Sequence, residues 1–145
     1  SLRATVRGIH PTILVERGLV AALSDVAARA PRVQVVCPNP LPDLPEGVLA
    51  TGYFFATEAI ANATKHAPGA DVTVLLTADQ RLRVSVVDAG PGGARVVAGH
   101  GLSGLRERLA AFGGELTVSS PPGGPTQVVA SVPLLLRRGE TGVRL

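Results

Sequence analysis

The chain carries one cysteine, no methionine and no tryptophan, and its aromatic side chains amount to three phenylalanines and one tyrosine. A lone Cys37 excludes an internal disulfide and a cysteine-based zinc site, and makes a reducing compartment, the cytoplasm, the expectation. The scarcity of aromatics removes the platforms on which single-stranded nucleic acid stacks. The 14 basic and 11 acidic residues, net +3, form no block of like charge, so nucleic acid is not an expected partner. No apolar run approaches the about 18 residues of a membrane span, and Ser1-Leu2-Arg3-Ala4-Thr5 lacks the apolar centre of a signal peptide. The absence of methionine, position 1 included, reads as an excised or processed piece with further sequence upstream.

What is present is apolar: 46% of 145 residues, enough for one domain with a core. The 17 glycines and 12 prolines fall between apolar runs, where they punctuate structure. Helical spacing of apolar residues predicts helices over 12–29, 46–66 and 102–112, the last stopped by Gly113-Gly114. β-branched runs predict strands over 32–37, 72–77, 82–87, 115–119 and 127–132. A proline-rich loop reaches Pro45, a glycine-rich loop covers 89–100, and residues 137–145 read as a loose tail. This order predicts an α+β fold, a two-layer sandwich with three helices on one face of a mixed, mostly antiparallel sheet.

Three places could carry chemistry. On the second helix Glu58, Asn62 and His66 recur at i, i+4, i+8, an arc of about 80°, with Lys65 alongside. Phe54 and Phe55 edge that stripe, and opposite it Leu49, Tyr53, Ala56, Ile60 and Ala63 suit packing on a sheet. A solvated helix face with Lys65 and His66 complementing the helix dipole fits the same residues. So does a partly enclosed surface in which Asn62 needs a partner. At residues 84–93 an apolar strand runs into Asp88, then Gly90 and Gly92. Such an acid can accept a hydrogen bond from an exocyclic amine while the glycines let backbone approach a flat ring; an ordinary turn after a strand has the same composition. Finally, Gly99-His100-Gly101-Leu102-Ser103-Gly104 opens a helix, where backbone N–H groups favour phosphate. The preceding loop argues against a dinucleotide fold, the missing GK[ST] against a P-loop, and the missing HRD and DFG motifs against a protein-kinase loop.

The order and spacing of these places resemble the N, G1 and G2 boxes of the GHKL ATPase superfamily: residues 55–67, then Asp88-Ala89-Gly90-Pro91-Gly92, then residues 99–108. The likeness is strongest to the catalytic domains of nitrate-sensor-like and DesK-like histidine kinases, and covers nearly the whole chain. Arg7-Gly8-Ile9-His10-Pro11 resembles their junction with the dimerisation helices, so the implied division is 1–11 junction, 12–136 ATP-binding catalytic domain and 137–145 tail.

The resemblance implies a nucleotide site for ATP and Mg²⁺. Glu58 would be the catalytic residue, as polarising base or water-positioning group, Asn62 the Mg²⁺ ligand, and Lys65 or His66 the phosphate contacts. Asp88 would receive the adenine amine in a pocket shaped by Gly90 and Gly92. Gly99, His100, Gly101, Leu102 and Gly104 would surround the phosphates, and Thr126 would back the adenine. It also implies a dimerisation domain bearing the phosphoaccepting histidine and a response regulator as partners. The full-length protein is expected to be a homodimer, open to membrane anchoring, and this piece a monomer. Only six residues, 93–98, separate Gly92 from Gly99, so the lid over the nucleotide is short. None of His10, His66 and His100 matches the phosphoacceptor, so the piece alone is expected to bind ATP without autophosphorylating. Two rivals remain open: a stand-alone anti-sigma-factor-like serine kinase of the same superfamily, and a nucleotide-sensing module without catalysis.

Overall fold

Period-two alternation in two β-branched segments builds the centre of the sheet. The computed structural model of the chain describes residues 11–90 and 101–134. The strands are β1 (Val33–Val36), β2 (Val72–Ala78), β3 (Arg81–Asp88), β4 (Glu115–Ser119) and β5 (Thr126–Pro133). They lie in the order β1-β2-β3-β5-β4, with β1 parallel to β2 and every other pairing antiparallel. Val74 and Leu76 of β2, Leu82 and Val84 of β3, and Ala130 and Val132 of β5 alternate onto one buried face. Three helices cover it: α1 (Pro11–Ala28) packs on β1, α2 (Glu46–His66) on β3 and β5, and α3 (Gly101–Ala110) on β4. This is the α+β, two-layer arrangement expected from the element order.

The face of α2 turned to the sheet carries Tyr53, Phe55, Ala56, Ala59, Ile60 and Ala63, all buried. Glu46 in its first turn and Lys65 and His66 in its last complement the helix dipole. Gly52 marks the tightest approach of α1, α2 and β3: a Cβ there would lie 3.1 Å from Leu19 and 3.2 Å from Leu82. Both leucines are almost wholly excluded from solvent. Leu82→Ala is expected to lower the unfolding free energy by about 2–5 kcal/mol. Urea titration checks this as a fall in midpoint at unchanged slope.

One helix over 12–29 is corrected by the structure. At Gly18 the backbone takes φ 90° and ψ 175°, so α1 is two helical arms joined by a bend. Residues with a side chain avoid that conformation, and glycine makes the bend possible. Beyond it, Leu19, Ala22 and Leu23 are buried, which fixes the second arm against the core. The third helix is also shorter than the spacing suggests, ending at Ala110. Its last turn is closed by the N–H groups of Gly113 and Gly114 donating to Ala110 and Leu109, with Gly113 at φ 73°.

The β2–β3 turn is held by Asp79, whose Oδ1 accepts the Arg81 N–H at 3.0 Å. That bond holds the Asp79 carboxyl below the usual carboxylate range. Residues 1–10 of the junction 1–11, the loop 91–100 with Gly92, Gly99 and His100, and the tail 137–145 lie outside the described residues.

Candidate functional site

The antiparallel register brings Asp88 and Thr126 together at one end of the sheet. Asp88 is the last residue of β3 and faces Val72 on β2 and Thr126 on β5. Asp88 is 7% exposed and Thr126 8%. Asp88 Oδ1 accepts the Gly90 N–H at 2.9 Å, which turns the chain out of the strand and fixes one carboxylate oxygen. Among the described residues the other oxygen has no hydrogen-bond partner.

Gly90 is required by packing. A Cβ at that position would lie 2.4 Å from Ala67 Cβ and 2.8 Å from Asp88 Oδ1. Ala67 follows α2 directly and donates its N–H to the Ala63 carbonyl at 2.8 Å. The Gly90–Ala67 approach therefore clamps the end of α2 to the end of β3, which puts the polar stripe of α2 and the Asp88 carboxylate at the same end of the domain. The close backbone approach at Gly90 is to a neighbouring helix end.

Along α2, Glu58 and Asn62 are half-buried while Lys65 and His66 are exposed. None of the four makes a hydrogen bond or ion pair among the described residues. A half-buried amide and carboxylate one turn apart, without partners among the described residues, form an oxygen-rich donor and acceptor set open to a ligand. Phe55, expected at the edge of this stripe, is instead wholly buried. Its neighbour Phe54 lies one turn before Glu58, 38% exposed, with the Arg108 guanidinium carbon of α3 5.2 Å from its ring centroid. The 100° step between adjacent helical residues separates the two rings.

Two features escaped sequence reasoning. Ser120 shares a hydrogen bond with Thr126, Oγ to Oγ1 at 2.5 Å, which orients the Thr126 hydroxyl beside Asp88. Its only sequence signal was a serine pair before a turn. Arg108 stood inside the third motif without a role, and its partner Phe54 is remote in sequence. Of the third motif, Gly101 and Leu102 fall in the first turn of α3, and Gly104 is exposed, with nothing among the described residues within 4 Å of where a Cβ would stand. Among the described residues no three His, Cys, Asp or Glu side chains gather as a metal site.

Known relatives and solved structures share the sequence pattern and the fold. The chain is 30% identical over 97 residues to the sensor histidine kinase YxjM of Bacillus subtilis, covering 66% of this chain and 24% of that protein. The chain thus spans about a quarter of that relative's length. The histidine kinase domain of the blue-light activated histidine kinase of Erythrobacter litoralis EL346 superposes with a TM-score of 0.65 at 24% identity, over 80% of this chain and 65% of that one. Full-length ShkA, solved in complex with AMPPNP, superposes with a TM-score of 0.60 at 26% identity, over 86% of this chain and 30% of that one. Residues 55–136, from α2 to the end of the sheet, match the ATP-binding family described as histidine kinase-, DNA gyrase B- and HSP90-like ATPase, and the chain belongs to that family.

Proposed function

We propose that the chain is the ATP-binding catalytic domain, residues 12–136, of a nitrate-sensor-like or DesK-like sensor histidine kinase. It would bind Mg-ATP and pass the γ-phosphoryl group to a histidine on a dimerisation domain, for onward transfer to a response regulator. The observation that carries this reading is the pairing of a buried, oriented carboxylate at Asp88 with a Glu58–Asn62 stripe that has no partner among the described residues, at the same end of the sheet.

In this reading the outer oxygen of Asp88 accepts the adenine amine, with Thr126, held by Ser120, behind the ring. Guanine presents a carbonyl where adenine has its amine, so Asp88 selects against it. The start of α3 supplies backbone N–H groups to the phosphates, joined by Gly99 and His100 and by the cationic end of α2 at Lys65 and His66, while Gly92 helps shape the adenine pocket. The oxygen donors on α2 fit a Mg²⁺ ion, which takes few protein ligands when phosphates supply the rest; Asn62 would hold it, and bound there it would neutralise charge developing on the phosphates. Glu58 orients the attacking imidazole and takes its proton as the P–N bond forms and the bond from Pγ to the ADP oxygen breaks. Among the described residues no helix is long and apolar enough to cross a membrane.

Calorimetric titration with ATP and GTP, with and without Mg²⁺, tests the site. Selective, Mg²⁺-sensitive ATP binding is expected; binding of neither nucleotide, or of both equally, would refute it. With a dimerisation domain joined upstream, ³²P from γ-labelled ATP should appear on histidine. Label on a serine of a partner would favour the anti-sigma-factor-like kinase, and ATP binding without label a sensing module.

A further inference from the structure

A cavity lies at the other end of α2, about 24 Å from Asn62 by the helical rise between Glu46 and that residue. Its volume is about 770 Å³, within the range of small-molecule sites. The floor is apolar, built from Leu19, Leu41, Leu44 and Leu49, of which Leu19 is buried and the other three half-buried. The rim carries three carboxylates, Glu16, Asp43 and Glu46, against one guanidinium, Arg17. All four are exposed, and among the described residues none is engaged in an ion pair. The wall therefore presents an excess of two negative charges beside an apolar surface.

The lining also straddles the bend of α1. Glu16 and Arg17 belong to the arm before Gly18, and Leu19 and Val20 to the arm after it. A molecule seated here touches both arms and the loop that leads into α2. Thiol chemistry is not what the cavity offers: Cys37 lines it, but its Sγ–H donates to the Asn39 carbonyl at 3.1 Å. Burial also pushes that thiol above its usual range, keeping it protonated.

We propose that this cavity is a second ligand site, for a small amphiphilic organic cation. Its ammonium is held by Glu16, Asp43 and Glu46, and its hydrocarbon body lies on Leu19, Leu41, Leu44 and Leu49. The acidic rim rejects carboxylates and phosphates, and a neutral analogue keeps the apolar contact but loses the charge term. The inference is independent of the nucleotide site.

The test is amide NMR on the whole chain with phenylethylamine, phenylethanol and phenylacetate as probes. The amine is expected to shift the Leu41, Leu44 and Leu49 amides saturably, to bind more tightly than the alcohol, and to lose that advantage in high salt. Phenylacetate should leave these amides unmoved. Asp43→Asn with Glu46→Gln should weaken the amine about fivefold, the effect of two exposed charge interactions. The same variant should leave the alcohol unchanged, which also reports that it is folded. Equal affinity for amine and alcohol overturns the proposal. So do shifts confined to Glu58 and Asn62, or no shift of the lining amides at the solubility limit of the amine. If those amides instead move with protein concentration, the cavity is an interface between copies of the chain and the proposal fails.

Discussion

Glu58→Gln, in the chain joined to its phosphoacceptor helices, is expected to slow phosphoryl transfer by ~10²–10⁴-fold and to leave ATP affinity unchanged. The carboxylate sits half-buried on the polar stripe of α2 without a protein partner among the described residues. The amide of glutamine preserves size and hydrogen bonding but cannot take the imidazole proton. Stopped-flow transfer of label checks the rate, and calorimetry the affinity. Were both to fall together, Glu58 would be a binding residue; were neither to change, the proposed base would lie elsewhere. Because Glu58 makes no structural hydrogen bond among the described residues, the substitution should leave thermal stability unaltered, which separates chemistry from folding.

Asp88→Ala should weaken ATP binding by about 10–100-fold, the value of a hydrogen bond to a charged group, and remove discrimination against GTP. Two effects are superposed in this substitution. It deletes the proposed acceptor for the adenine amine and also the acceptor that holds the Gly90 N–H at 2.9 Å. Asp88→Asn separates them: its side-chain carbonyl still accepts from Gly90, while its amide places a donor opposite the adenine amine. If ATP affinity falls in both variants while the asparagine variant keeps its melting temperature, the loss lies in base recognition. If affinity survives in asparagine and falls only with melting temperature in alanine, Asp88 is a structural turn residue and the adenine assignment fails.

Much of the fold was legible because the signals are local. The period-two runs and the punctuating glycines and prolines placed all five strands within a residue or two, and α2 was expected over its observed span, Glu46–His66. Where local pattern misled, the cause is equally physical. Apolar spacing passes through Gly18 without interruption, but the absence of a Cβ lets the backbone adopt φ 90° there and bend. Phe54 and Phe55 are adjacent and chemically alike, and nothing in the sequence says which one the core takes. Packing against the sheet buries Phe55 completely and leaves Phe54 under the Arg108 guanidinium.

The candidate site divides the same way. Its residue types and their order along the chain are properties of sequence, and they carried the family resemblance that residues 55–136 bear out. Their meeting is not local. Ser120 reaches Thr126 across the β4–β5 connection, and Asp88 and Thr126 become neighbours only through the β3–β5 register. The polar stripe of α2 shares an end of the domain with Asp88 because Gly90 fits against Ala67. The sequence by itself determined which elements form and which polar groups are available, since dihedral preference and hydrophobic period act within a few residues. The tertiary structure alone decided strand order, the parallel β1–β2 pairing, the bend at Gly18 and the cavity beside it. Those depend on burial shared between segments far apart in the chain, which no local pattern encodes.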